Sequence, residues 1–114
     1  MPQYSAIAAR FKVLAHPIRL QILDMLRSGD EVCVCHMEAA FKKRQAYISQ
    51  QLMILRDAGL VQFRKDGLQV FYRLADDRIA VLLAFELGPA QADNLPVIDA
   101  CPCPRCALVV LDEV

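Results

Sequence analysis

The chain has 114 residues, 56% of them hydrophobic, and no low-complexity tract. That is the size of one domain with a modest core, and it argues against disorder except at the ends. No apolar run reaches the ~18–20 residues of a membrane span, and the start, Met1-Pro-Gln-Tyr4, lacks the basic-then-apolar pattern of a signal peptide; the expectation is a cytoplasmic protein with no membrane partner. The formal net charge is zero, which excludes a uniformly basic nucleic-acid binder but leaves room for one basic face.

The charges are unevenly placed. Between residues 39 and 74 stand Lys42, Lys43, Arg44, Arg56, Arg64, Lys65 and Arg73 against only Asp57 and Asp66. Residues 75–114 reverse the balance, with Arg78 and Arg105 against seven acids. A basic middle and an acidic tail fit an electrostatic footprint confined to one surface.

In chain order, Ile7, Phe11 and Leu14 stripe a first helix over residues 4–15. His16-Pro17 breaks and restarts the chain, and Pro17 suits a first helical position, where its missing N–H is no loss. Ile18, Ile22 and Leu26 stripe a second helix that ends near Ser28-Gly29. Residues 31–35 alternate and are expected to be extended. A short third helix follows at about 37–43. After a turn around Arg44-Gln45, Ile48, Leu52 and Leu55 stripe a fourth helix that stops at Ala58-Gly59. The period then changes to two: Val61 and Phe63, then Val70, Tyr72 and Leu74, flank Lys65-Asp66-Gly67, a strong hairpin signal. Residues 78–88 form a fifth helix, apolar nearly all round and so either buried or packed on a partner chain. Beyond Gly88-Pro89 lies a linker and a Cys-rich tail, so residues 1–88 are expected to form the working domain and 89–114 an appendage. Two helices followed by a hairpin is the winged form of helix-turn-helix. The fold class is therefore mainly α with a β-hairpin wing, and dimeric if the fifth helix is covered by a second copy.

Five cysteines fall in two clusters, Cys33 with Cys35 and Cys101-Pro-Cys103-Pro-Arg-Cys106. In a reducing compartment clustered thiols are more often metal ligands or redox sensors than structural disulfides. In an extended segment, side chains two residues apart point the same way, with Cα atoms about 6.5–7 Å apart, so Cys33 and Cys35 are expected to present two sulfurs to one ion. Thiolates select soft ions: Cd(II), Pb(II) and, by similar reasoning, As(III). Two ligands are too few for a trigonal or tetrahedral site, and Cys101, Cys103 and Cys106 are the obvious source of the rest. About 13 residues run from Gly88 to Cys101; at ~3.3–3.6 Å each they span tens of Å. The tail thus either completes a shared site or forms one of its own. His36 is a further candidate ligand, though a polar residue near a helix start is the simpler reading, and His16 reads as a helix-start residue.

On the fourth helix, Tyr47, Ser49, Gln50 and Gln51 lie between the core positions. Gln can bond bidentately to adenine in the major groove, and Ser and Tyr can reach phosphate. Lys42, Lys43, Arg44 and Gln45 at the entry to that helix, and Arg64, Lys65 and Arg73 on the hairpin, complete the DNA-facing set. No Ser/His/Asp constellation, phosphate-binding Gly-rich loop or Cys-x-x-Cys on a βαβ unit is present, so the chain is not expected to be an enzyme.

Four stretches together resemble the ArsR/SmtB family of winged-helix, metal-responsive repressors: Leu14-Ala-His-Pro-Ile-Arg-Leu-Gln-Ile-Leu23, Glu31-Val-Cys-Val-Cys35, Ile48-Ser-Gln-Gln-Leu-Met-Ile-Leu-Arg-Asp-Ala-Gly-Leu-Val61 and Asp66-Gly-Leu-Gln-Val-Phe-Tyr-Arg-Leu74. The resemblance implies a homodimer built on the first and last helices, two recognition helices on a two-fold double-stranded operator, and an effector whose binding weakens DNA affinity. Three positions depart from the family pattern. Arsenic-sensing members place a third Cys where this chain has Glu38. Zinc-sensing members use acidic and His ligands on the last helix; Asp76 matches the first acid, but Arg78 and Pro89 stand where imidazoles are expected. The wing tip often carries an Arg pair where this chain has Leu68-Gln69. The expected effector is accordingly As(III), Cd(II) or Pb(II) ahead of Zn(II), with a redox or persulfide switch at the same cysteines as the alternative.

Overall fold

The computed structural model describes residues 2–29 and 31–90. The elements run α1 (Pro2–Leu14), α2 (Pro17–Leu26), β1 (Val32–Cys33), α3 (Val34–Phe41), α4 (Gln45–Asp57), β2 (Val61–Asp66), β3 (Gln69–Leu74) and α5 (Asp77–Leu87). The tail cysteines Cys101, Cys103 and Cys106 lie outside the described residues.

Local chemistry sets these boundaries. Pro17 opens α2 behind an extended His16 at the N-cap. Asp76 caps α5 by accepting from the Arg78 N–H at 3.0 Å. Gly88 closes α5 at a φ of +84°, a backbone position that favours glycine. Arg27 Nη1 donates to the Gly88 carbonyl at 2.7 Å, fastening the end of α2 to the end of α5.

Ile22, Leu23 and Leu26 of α2 and Ile48, Leu52 and Leu55 of α4 are fully buried and form the centre of the core. Met37 of α3, Val61 of β2 and Ile79 and Leu83 of α5 close around them. Arg19 joins three helices, donating from Nε to Gln51 Oε1 at 2.8 Å and from Nη1 to the Val13 carbonyl at 3.1 Å. Gln51 therefore faces inward, which corrects its reading as a base-reading candidate.

The hairpin is part of a three-stranded antiparallel sheet in the order β1-β3-β2. Val32 pairs with Tyr72 and Cys33 with Phe71, so the wing is stitched to the segment that carries the first cysteine. Within the hairpin Asp66 pairs with Gln69, which makes Gly67-Leu68 the two central turn residues, one position later than the Asp-Gly signal suggested. Gly67 has φ +62° while Leu68 does not enter the positive-φ region, the pattern of a glycine-first type II′ turn.

The terminal helices bury less than their sequence stripes suggest. Of Ile7, Phe11 and Leu14, only Leu14 is buried. In α5, Ile79 and Leu83 face the core while Val81, Phe85 and Leu87 are exposed. Between α1, α2 and α5 runs a groove of about 640 Å³ whose lining includes Phe11, Leu14, Leu20, Leu82 and Leu87.

Candidate DNA interface and thiol pair

Helices α3 and α4 make the helix-turn-helix. Lys42 ends α3 in the left-handed region at φ 56°, and its N–H and that of Lys43 both return to the Glu38 carbonyl. This tight stop turns the chain within Lys42-Lys43-Arg44, all exposed. Arg44 occupies the N-cap of α4 without a side-chain hydrogen bond to the helix. Gln45, Tyr47 and Gln50 are exposed on α4 and Ser49 is half-buried. Lys43 Nζ sits 5.9 Å from the Tyr47 ring centroid, so charge and ring share one surface. Gln45, Tyr47, Ser49 and Gln50 thus remain candidates for DNA contact, and Gln51 does not.

Gln50 carries the first prediction. Replacing it with Ala should weaken binding to a cognate duplex by roughly 1–3 kcal/mol and relax preference at one base position. Arg44→Gln should instead weaken binding to all duplexes alike and flatten the salt dependence. Equal affinity of wild type and Gln50→Ala in a titration would show that this face does not read bases.

The wing cations are more engaged than their sequence suggested. Arg64 Nε donates to Glu31 Oε2 at 2.7 Å, its guanidinium lies 4.8 Å from the Phe71 ring centroid, and Asp66 stands 3.7 Å away. Arg73 donates twice to Gln62 Oε1, at 2.9 and 3.1 Å. Lys65 is exposed. Arg56 of α4 lies 5.0 Å from the ring centroid of Phe63 on β2, so the wing is tied to the recognition helix at its base.

The two cysteines do not share an extended strand. Only Val32 and Cys33 are strand; α3 begins at Val34, three residues earlier than expected. Cys33 is fully buried and is the N-cap of α3, its Sγ accepting the His36 N–H at 3.3 Å. Cys35 is half-buried in the first helical turn. The parallel presentation of both sulfurs expected from strand periodicity is therefore overturned. The missed signal was a sulfur in a capping role, a position where oxygen-bearing side chains are the usual cue. His36 is buried in α3. Among the described residues no group of three His, Cys, Asp or Glu side chains is placed to hold a metal ion.

Asp76, the one match to a zinc ligand on the last helix, is otherwise occupied. Arg78 bonds both its oxygens, at 3.1 and 3.0 Å, and Arg10 reaches Oδ2 from α1 at 2.7 Å. Arg78 first, then Arg10, holds the carboxyl well below the usual carboxylate range. A folded-state pKa below the unfolded value means that the stabilisation is present in full above the unfolded value, about 3.9, and is lost as pH falls through the acid range. Asp76→Ala should lower stability by about 1–2 kcal/mol at neutral pH through loss of the cap and pairs. The difference from wild type in denaturant melts should stay level from neutral pH to about pH 5 and shrink below about pH 4.

A short helix, a tight basic turn and an amphipathic helix packed on the core, with a hairpin fastened to it, define a winged helix-turn-helix protein. Residues 16–62 match the family described as bacterial regulatory protein, arsR family. The biofilm growth-associated repressor of Agrobacterium fabrum is 46% identical over 91 residues, covering 78% of this chain and 77% of that one. The arsenical resistance operon repressor of Escherichia coli is 43% identical over 65 residues, 57% of this chain and 56% of that one. A homodimeric winged helix-turn-helix DNA-binding domain from Mycobacterium bovis superimposes with a TM-score of 0.67 at 34% identity, covering 75% of this chain and 78% of that one. The chain belongs to the arsR family, and is a transcriptional repressor of the ArsR/SmtB type, not an enzyme. Among the described residues no helix is long and apolar enough to cross a membrane.

Proposed function

We propose that this chain is a cytoplasmic homodimeric repressor that holds a two-fold operator through α4 and leaves it when a thiophilic ion binds Cys33 and Cys35. The observation that carries this reading is the position of Cys33: its sulfur caps α3, and its backbone pairs with the wing. Any ion drawing that sulfur away removes the cap of the helix that supports α4. Cys35 sits within the first turn, so seating both sulfurs on one ion requires that turn to rearrange. Soft donors favour As(III), Cd(II) or Pb(II) over Zn(II), and a relative named for arsenical resistance supports the metalloid. The donors fit such an ion in kind but are only two, so Cys101, Cys103 and Cys106 are assigned the remaining positions, in a shared site or one of their own. Residues 1–88 form the DNA-binding and dimerisation unit, and 89–114 the ligand arm.

Dimer formation is supported by the exposed apolar faces of α1 and α5, and by the homodimeric relative. The test is an anaerobic titration of reduced protein with As(III), Cd(II), Pb(II) and Zn(II), following sulfur-to-metal charge transfer and DNA binding together. Release that coincides with charge transfer supports the reading. Release by an oxidant or persulfide donor, with none by any of the four ions, replaces it with the redox switch.

A further inference from the structure

The last turn of α1, the helix α2 and the recognition helix α4 meet at one side chain. Arg19 of α2 is half-buried. Its Nε donates to Gln51 Oε1 on α4 at 2.8 Å, and its Nη1 donates to the Val13 carbonyl at 3.1 Å. That carbonyl is among the last four of α1, which have no partner inside their own helix. Gln51 is, with His36, one of two buried polar side chains among the described residues. It stands beside the apolar stripe of Ile48, Leu52 and Leu55. Replacing both partners of such a bond by apolar groups of similar shape is commonly close to neutral for stability. Stability therefore does not account for an arginine and a glutamine at these two positions. What the bond adds is direction. It holds only at about 2.7–3.2 Å and close to a straight line, whereas an apolar contact that repacks loses its unique arrangement before it loses stability.

That direction fixes α4 about its own axis. Gln50 lies about 100° around the helix from Gln51, so holding Gln51 inward holds Gln50 out. A rotation of ~10° moves a group ~5–6 Å from the axis by about 1 Å, enough to break a bidentate bond to a base. The second arm of Arg19 ties α4 to α1, whose exposed Ile7 and Phe11 belong to the proposed dimer face. We propose that Arg19 is a positioning residue for base reading. It touches no DNA itself. Through Gln51 it sets the rotation of α4, and through the Val13 carbonyl it sets the place of α4 relative to the two-fold axis. The proposal rests on the DNA-binding reading above and assigns the contact that gives that reading its sequence preference.

The probe is a duplex enriched by the wild-type chain from a randomised pool, compared with a scrambled duplex of the same composition. The double variant Arg19→Met with Gln51→Leu should melt at or above wild type. Its preference for the enriched duplex should fall roughly 10–100-fold, the worth of one misplaced bidentate contact. Its affinity for the scrambled duplex, and the salt slope there, should not change, because Lys42, Lys43 and Arg44 are intact. One base pair inserted between the half-sites should cost this variant less than it costs wild type, whose recognition helices are held at a fixed span. Gln51→Glu keeps an acceptor for Arg19 Nε and should keep the preference. Arg19→Lys keeps the charge but not the planar fork that reaches two acceptors, so it should lose the preference; it decides the matter if the apolar pair unfolds. A wild-type preference in these loss variants, equal losses on both duplexes, or an equal cost of the insertion would each overturn the proposal while leaving the repressor reading intact. Enrichment of no duplex at all by wild type would bring down both.

Discussion

A chain carrying both Cys33→Ser and Cys35→Ser is expected to bind its operator as wild type does and to remain bound when As(III), Cd(II) or Pb(II) is added. Folding should survive, since serine is a strong N-cap residue and can accept the same His36 N–H that the Cys33 sulfur accepts. The response should not survive, because the sulfur whose removal uncaps α3 is gone. Allosteric coupling between two ligands is typically about 5–150-fold, and the double substitution should reduce that ratio to one. By linkage, wild type bound to DNA must take up the ion more weakly than free wild type, by the same factor. That equality is a second measurement of the same quantity and exposes release caused by precipitation or aggregation. Truncation before Cys101 separates the two tail arrangements. It should lower ion affinity if the tail supplies ligands, and abolish release as well if the site is shared. A double Ser variant that still releases normally would move the sensor away from the Cys33/Cys35 pair altogether.

The sequence reading and the structure agree where periodicity is long and disagree where one residue changes role. The stripe Ile48-Leu52-Leu55 and the alternation of the hairpin located α4 and the wing because each repeats over several residues. At Cys33 the alternation of Glu31-Val-Cys-Val-Cys35 suggested a strand. The chain instead leaves the sheet after two paired residues, because the Cys33 sulfur and the β-region backbone of that residue start a helix. Gln51 looked like its neighbour Gln50, but Arg19, far away in sequence, turns it inward. Arg64 and Arg73 were countable as charges, while their partners Glu31 and Gln62 became visible only once the strands were paired. The hairpin turn slipped by one residue because both Asp66-Gly67 and Gly67-Leu68 satisfy a glycine-containing two-residue loop, and only the register Asp66↔Gln69 separates them. The all-round apolar character of the fifth helix was legible, but not which residues face out.

That last distinction decides how dimer formation is tested. Leu83 is buried at 4% exposure and a charge there should unfold the domain, so it reports nothing about assembly. Phe85 is 89% exposed and lies one helical turn beyond Val81, on the side of α5 away from Ile79 and Leu83. Together with Ile7 and Phe11 on α1, these residues leave an apolar face that a domain of this size has no element left to cover among the described residues. Phe85→Asp is therefore expected to keep the fold, with a wild-type circular dichroism spectrum, and to sediment as a monomer. Its DNA affinity should fall on the order of 100-fold or more, because two linked recognition helices gain from binding adjacent half-sites together and a lone one does not. Half-sites about one DNA turn apart make the loss depend on both being present. On a duplex holding only one half-site, wild type and Phe85→Asp should differ little. A Phe85→Asp chain that still sediments as a dimer, or a monomeric wild type at concentrations where it occupies a two-fold operator, would show that these exposed faces serve something other than self-association.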